Sequence, residues 1–107
     1  MIDNTLLSRR LTWTDACAFE GTRVELFPDE TPGAAPIVLA VASVTQRPAP
    51  RGASQFSIVF RGPVEPLLSQ RTYRLRHATL GDFALFITPV AKAGGSIDYE
   101  ACFAHAA

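Results

Sequence analysis

Four stretches of the chain alternate between apolar and polar residues, the period-2 pattern of a strand with one buried face and one solvated face. They cover residues 22–27, 55–61, 71–78 and 97–104. Each stretch predicts an antiparallel strand that turns its apolar side toward a core. From the phase of the alternation, and from a further apolar run at 83–90, we predict that the core contains Phe56, Ile58, Phe60, Tyr73, Leu75, Phe83, Leu85, Tyr99 and Phe103.

Two runs, 37–45 and 83–90, are apolar at almost every position instead of at every second one. Runs of this kind are typical of strands that are buried on both faces. We therefore expect these two strands to lie centrally in a sheet, or to have their second face covered by another element.

A short N-terminal helix is the candidate cover. Thr12 and Asp15 have the spacing of a capping box, in which each residue bonds the backbone of the other. A helix that begins there would place Trp13, Ala16 and Cys17 on one face. Because a helix of about two turns is not stable alone, we expect it to dock on the sheet.

Proline and glycine divide the chain into these short segments. Gly81, in the turn 79–82, can adopt positive φ without steric cost and so close a hairpin. About six strands and one helix result, which predicts one mainly all-β domain over residues 1–107, a small antiparallel β-barrel or sandwich with a short N-terminal helix. Loops are predicted at 28–36, 47–53, 62–69 and 93–96, the third of them ending a strand at Arg61.

Charge and composition mainly argue against several classes of partner and location. The chain of 107 residues has ten basic and ten acidic residues, whereas nucleic-acid binders carry a basic excess and membrane-surface proteins carry a polybasic helix. We therefore expect neither partner. No apolar run approaches the ~20 residues of a membrane span, and the start Met1-Ile2-Asp3-Asn4 lacks the apolar region of a signal peptide, which leads us to expect a cytoplasmic protein.

The two cysteines, Cys17 and Cys102, are expected to be reduced and mostly buried in a chain without an export signal. A disulfide that joins them is the alternative. Two cysteines and two distant histidines lack the spacing of metal ligands, so we expect no metal and no other cofactor.

His77 is the best single candidate for chemistry. It shares the inner face of its strand with Tyr73 and Leu75, just before the turn, and Asp82 lies across that turn. A functional interpretation makes His77 a general base oriented by Asp82. The structural interpretation, which we favour, has the imidazole bonding the backbone of the turn, because no motif supplies a nucleophile or a second acid.

Arg61, Arg74 and Arg76 are predicted to point outward on neighbouring strands. They form either a site for an anion or a protein partner, or a solvated face that pairs across strands with Glu25, Asp98 or Glu100. Leu67 and Leu68 lie in a predicted loop, where they either tuck under the end of a barrel or contribute to a contact surface.

The second half of the chain, with part of the first, resembles a family of uncharacterised bacterial domains of about this length. The resemblance rests on FSIVFRGP at 56–63, on LxQxxYxLxHxxLGxFxLFxxPV at 68–90, on YEAxF at 99–103, and on the opening stretch from Leu11-Thr12 to Phe19-x-Gly21. It implies a small accessory protein, and some family members are associated with phage-tail-like, tail-collar proteins. It implies no catalytic residue.

We therefore expect a non-enzymatic structural or protein-interaction module, accessory to a phage-derived tail or surface assembly, with a protein partner or self-association. The candidate binding residues are His77, Arg61, Arg74 and Arg76, and no catalytic residue is assigned. A small-molecule-binding β-barrel is the alternative, and it would need a closed apolar cavity. An enzyme ranks third, because it would need an acid and a nucleophile beside His77.

Overall fold

The computed structural model describes residues 4–106. The fold is mainly β, as predicted, and six strands follow two short helices. The elements are α1 (Asn4–Ser8), α2 (Trp13–Phe19), β1 (Arg23–Phe27), β2 (Ile37–Arg47), β3 (Ala53–Pro63), β4 (Arg71–His77), β5 (Gly81–Ala93) and β6 (Ser96–Ala106).

All six strands belong to one antiparallel sheet, which closes on itself in the order β1-β2-β3-β6-β5-β4. The closing contact is the pairing of β1 with β4, where Val24 faces His77. Closure decides between the two predicted architectures: the strands form a ring around one core rather than two packed sheets. In this order β3 and β4 lie on opposite sides of the ring, although they follow each other in sequence.

At one end the ring continues into a longer, open part. β3 pairs with β6 along its whole length and with β2 as far as Arg47↔Gln55. β1, however, pairs with β2 only over residues 37–40, and the β5–β6 pairs stop at Thr88↔Glu100. We use the term extension for α2 together with the strand segments 43–47, 53–58 and 101–106.

The inner face of the sheet carries the predicted core. Eight of the nine predicted residues are buried, and the ninth, Phe103, is half-buried and packs against them. The alternation therefore gives the correct inner face for every strand on which it was used. Further strand residues complete the core: Val24, Leu26, Leu39, Val41, Ile87, Ile97 and Ala101.

The predicted capping box of α2 is confirmed. The Thr12 hydroxyl accepts a hydrogen bond from the Asp15 N–H at 3.2 Å, and the Asp15 carboxylate accepts one from the Thr12 N–H at 3.1 Å. These bonds satisfy N–H groups that the first turn of a helix leaves without a partner. The second predicted loop, 47–53, and the glycine turn at 93–96 also connect strands as expected.

The buried face of α2 differs in one residue from the prediction. Trp13 packs on Phe56 with ring centroids 5.6 Å apart, and Ala16 is fully buried. Cys17 was wrongly placed on this face, because it is exposed. Phe19 takes its place, so the contacts with the sheet come from residues three apart along the helix, one in each turn.

Phe19 closes the end of the ring from which the extension rises. Its ring stacks on His77 at 4.7 Å and contacts Phe60 and Phe83 edge-on at 6.4 and 5.9 Å. These three partners lie on β3, β4 and β5, so one helix side chain fills the space between three strands. At the other end Leu68 is buried, and its N–H donates to the Tyr99 hydroxyl at 3.0 Å.

The prediction that 37–45 and 83–90 are covered on both faces is wrong. Val38 on β2 and Phe86 on β5 are 52% and 53% exposed. A closed sheet has a single interior, so each strand in it buries only alternate residues. The helices are too short to cover the outside, and these outward apolar side chains remain in contact with water.

One local expectation, the end of β3, needs correction. β3 does not end at Arg61 but continues to Pro63, and Gly62 pairs with Ile97. Gly62 is needed there for space, because a Cβ on it would lie 2.5 Å from a methyl group of buried Leu39. The helix α1 was not predicted. Of the two leucines whose placement the sequence left open, Leu68 is buried at the end of the ring and Leu67 is 63% exposed.

Both cysteines are free thiols, but neither is buried, contrary to expectation. The phase of β6 explains Cys102: because Ala101 points inward, Cys102 lies on the outer face with Glu100. The pKa of Cys102 lies above its ordinary value, first because of partial burial and then because of the neighbouring Glu100.

Candidate functional site

His77 is the last residue of β4, and its side chain is buried, with 5% of the residue exposed. Its Nδ1 accepts hydrogen bonds from the backbone N–H groups of Thr79 and Leu80, both at 3.2 Å. Because Nδ1 is an acceptor, the ring proton is on Nε2. Nε2 is buried and has no hydrogen-bond partner among residues 4–106. The imidazole thus bonds the β4–β5 turn on one side and stacks on Phe19 on the other.

Asp82 does not orient His77. Its carboxylate accepts from Arg74 at 2.9 Å and from Arg76 at 2.7 and 3.0 Å. The pKa of Asp82 lies below its ordinary value, mainly because Arg76 donates to it; burial opposes the shift and Arg74 adds to it. The histidine–aspartate pair considered from the sequence is therefore not assembled in this structure.

Arg61 lies apart from the other two candidate arginines. All three point outward as predicted, but the expectation that their strands are neighbours is wrong, because β3 and β4 face each other across the ring. Arg61 forms a two-pronged ion pair with Asp98 of β6, at 2.8 and 3.3 Å. That is one of the cross-strand pairs expected for a solvated face.

Arg74 and Arg76 share one aromatic ring. Phe27 lies opposite Arg74 in the β1–β4 register, and the two guanidinium groups lie 4.3 and 5.1 Å from its centroid. Arg74 also forms an ion pair with Glu30 at 3.1 Å. We call Phe27, Glu30, Arg74, Arg76 and Asp82 the arginine face. Because the ion pairs neutralise both arginines, this face carries little surplus charge.

The chain before α2 is attached next to this face by Arg9. Its guanidinium donates to the carbonyl oxygens of Leu80 and Asp82 at 2.7 and 2.8 Å. It also lies 3.8 Å from the centroid of the Phe83 ring, a cation–π distance. Arg9 thus holds α1 against β5, although α1 buries none of its own residues.

A groove of about 460 Å³ lies beside the arginine face. Arg71 borders it, with its guanidinium 4.6 Å from the Tyr73 ring centroid and bonded to the Pro28 carbonyl. Phe86 lies across from Thr72 of the groove in the β4–β5 register and is half exposed. The lining residues are Leu7, Phe27, Pro28, Asp29, Glu30, Arg71, Thr72, Tyr73 and Arg74.

Sequence reasoning missed several of these residues: Phe27, Arg71, Arg9 and Glu30. Phe27 and Arg74 are far apart in the chain and meet only because β1 pairs with β4. The one available signal was the outward phase of Phe27 on its strand, which left a large ring on the solvated side.

Two further features bear on chemistry. Among residues 4–106, no group of three metal-ligating side chains comes together. In the same part of the chain, no helix has the length and apolar character needed to cross a membrane.

A family model matches residues 11–103, which contain α2 and nearly all of the sheet. It is described as a domain of unknown function, DUF6916. The chain belongs to this family. Membership confirms the resemblance to an uncharacterised domain family of this length, whereas the association with phage-tail-like proteins stays a prediction. Comparisons with curated proteins and with solved structures give no match.

The DUF6916 range begins at Leu11, and this divides the candidate site. The strand residues of the arginine face and the groove lie inside the range. Leu7, which borders the groove, and Arg9, which holds α1 in place, lie outside this range and are not part of the matched DUF6916 domain.

Proposed function

We propose that this domain is a non-enzymatic protein-interaction module that binds a partner chain in the groove beside the arginine face. The observation that carries the proposal is the groove itself, with its aromatic and arginine walls next to half-exposed Leu7 and Phe86. Aromatic residues and arginine are enriched where interfaces gain most of their binding free energy.

The contacts that hold the side chains of this surface in place support the proposal. Phe27 lies beneath two arginines, and both arginines are held by the Asp82 carboxylate. Side chains that are already ordered lose little conformational entropy when a partner binds, so more of the contact energy appears as affinity.

The charges suggest the chemistry of the partner. Arg74 and Arg76 are used by internal ion pairs. Arg71 forms no ion pair within 4 Å with any residue of the described chain 4–106, although it stacks on Tyr73 and bonds a carbonyl oxygen. Hydrogen bonding from Thr31, and after it the charge of Arg71, helps to lower the pKa of Asp29 in the same groove. A partner segment with an apolar side chain for the groove and a carboxylate for Arg71 fits both features.

A small-molecule-binding barrel is the weaker alternative, because the interior is occupied by large buried side chains, among them Phe19, Phe60, Phe83 and Tyr99. A site on the outside of the sheet fits this packing better. As a more specific form of the proposal, the partner belongs to a phage-derived tail or surface assembly; this part rests on the sequence resemblance alone.

The experiment compares two substitutions on the same strand. Phe86→Glu places a charge beside the groove, and Val90→Glu places the same charge at an equally exposed site, 52% against 53%, beyond the last β4–β5 pair. A partner is first identified by cross-linking to the tagged chain and then purified for calorimetry. We expect Phe86→Glu to weaken binding at least roughly tenfold and Val90→Glu to leave it unchanged.

Equal effects of the two substitutions would contradict the proposed surface. Arg71→Gln supplies a second reading, because it removes the charge and keeps much of the stacking side chain. If the partner contributes a carboxylate, this variant weakens binding more strongly at low salt than at high salt.

A further inference from the structure

The guanidinium group of Arg9 occupies a site at the start of β5 that offers it two acceptors and an aromatic ring. Its Nη2 donates to the Leu80 carbonyl at 2.7 Å, and its Nη1 donates to the Asp82 carbonyl at 2.8 Å. Its central carbon lies 3.8 Å from the centroid of the Phe83 ring. Oxygens for the N–H groups and an aromatic face for the planar cation are the features by which proteins bind guanidinium groups.

This site exists because the first half of β5 has a strand neighbour on one side only. Residues 81–87 pair with β4, whereas the pairs with β6 begin at Thr88. On the β6 side residues 81–87 therefore meet no neighbouring strand, and the donor for the Asp82 carbonyl comes from Arg9. If Arg9 left, the site would present one face of the Phe83 ring and two carbonyl oxygens that had lost a donor.

The segment that carries Arg9 is held by few other contacts. None of the five residues of α1 is buried, and Leu6 alone among them is half-buried. Arg9 is itself exposed, so a ligand in solution can reach the site from its outer side. Because a helix of five residues has no stability of its own, we expect this segment to detach locally far more readily than the sheet opens.

The acceptors and the ring select the class of ligand. An anion would meet carbonyl oxygens instead of donors, and an apolar group would leave both carbonyls without a partner. An ammonium group is a compact point charge, whereas a guanidinium is a planar fork that can bond two acceptors while its face lies on a ring. The group that the structure places in the site, the side chain of Arg9, belongs to the last class.

We propose that Leu80, Asp82 and Phe83 form a guanidinium site, which Arg9 occupies in cis and which an arginine of a partner chain occupies when the N-terminal segment detaches. Arg9 precedes the range that matches DUF6916, whereas the three residues of the guanidinium site lie inside it. Because buried Leu11 fixes the chain two residues after Arg9, the cis occupant has a high effective concentration and competes with any arginine in solution. The N-terminal segment is therefore autoinhibitory for this site.

The test titrates the full chain with N-acetyl-arginine amide and follows the amide chemical shifts of residues 80–83. We expect Arg9→Ala to bind this probe with a Kd on the order of 10 mM, and the wild type to bind it at least roughly fivefold more weakly. Arg10→Ala is the matched control, because it removes the next, also exposed arginine and leaves Arg9 in place; it should behave like the wild type. N-acetyl-lysine amide should bind Arg9→Ala at least roughly fivefold more weakly than the arginine probe.

The wild type supplies a second measurement, which decides the question if Arg9→Ala does not fold. Excess arginine probe should displace Arg9, so the amide shifts of residues 5–9 should change together with those of 80–83, and the lysine probe should change neither. Three results would overturn the proposal: an Arg9→Ala variant that binds the arginine probe no better than the wild type, equal binding of the two probes, or wild-type shifts at 5–9 that stay constant. None of these results bears on the groove, because Phe86→Glu and Val90→Glu test that surface separately.

Discussion

In the closed part of the sheet every strand has a neighbour strand on both sides, whereas in the extension β2 and β6 each pair only with β3. In the closed part the backbone hydrogen bonds come from pairing between neighbouring strands, and side chains fill the interior and the two ends. The extension is an open sheet, and it becomes stable only because α2 covers its inner face with Trp13 and Ala16.

This difference shows where each part can carry function. In the closed part each strand pairs with a neighbour on both sides over part of its length; β5, for example, pairs with β4 over 81–87 and with β6 over 88–93. The surface that this part offers to a partner consists mainly of outward side chains, and the arginine face is built from those. In the extension the backbone itself is accessible along 43–47. A side-chain surface and a backbone edge therefore occur in one small domain, and they follow from the different lengths of its strands.

The largest effect on stability is expected at Phe60, which is fully buried and lies where the closed part and the extension meet. Phe60→Ala should cost ~3–5 kcal/mol of unfolding free energy, because it removes a ring that contacts Phe19 and leaves a cavity. Phe103→Ala, at a half-buried ring in the extension, should cost less. Chemical denaturation of both variants measures the difference. A loss below about 1 kcal/mol for Phe60→Ala would be that of a surface site.

A medium effect is expected at the end of the closed part. His77→Ala removes the acceptor for two turn N–H groups and the stacking on Phe19. It should cost ~1–3 kcal/mol without weakening the binding of a groove partner. His77→Asn should recover part of the loss, because an asparagine side chain can accept from a nearby backbone N–H. A variant of full stability that fails to bind would place His77 in the functional site instead.

The smallest effect concerns Asp82, which lies at the surface, where solvent screens its ion pairs. Asp82→Asn should lower the unfolding free energy by less than about 1 kcal/mol at neutral pH. Because folding lowers the pKa of Asp82 below its ordinary 3.8, its contribution is present above that pH and is lost as the pH falls through the folded-state value.

Melting curves of the wild type and the Asp82→Asn variant should therefore converge in acid, below about pH 3.8. Asp98→Asn serves as the control, because its carboxylate pairs with the single arginine Arg61; we expect a smaller loss there at neutral pH. A difference between Asp82→Asn and wild type that stays constant into acid would show that the carboxylate charge contributes nothing.

The sequence predicted the strands well because their signal is local. Alternation along a strand is a property of neighbouring residues, so Phe56, Leu75 and Tyr99 could be assigned to the core without knowledge of their partners. The capping box of α2 is local in the same way. The errors occurred where the answer depended on neighbouring strands. The runs 37–45 and 83–90 were expected to be covered on both faces because they are apolar on both, and the sequence does not reveal that the sheet closes and leaves one face in water.

The candidate site was predicted only in part. Arg74 and Arg76 were correctly identified as outward residues. Arg61 was wrongly grouped with them, because the strand order, which separates β3 from β4, cannot be read from the sequence. Asp82 was noticed because it lies near His77 in the chain, yet in space the two arginines are its partners. The turn residues bonded by His77 could be anticipated, since they are within three positions of it.

What the sequence determined by itself is therefore the type of every element except α1, the inward residues of the strands and the start of α2, because each depends on contacts within a few residues. Only the tertiary structure decided that the sheet closes, that Phe19 rather than Cys17 fills its end, that Phe27 lies beneath two arginines, and that the end of β2 is unpaired on one side. These features depend on register and strand length between segments distant in sequence, where many pairings agree equally well with the same local pattern.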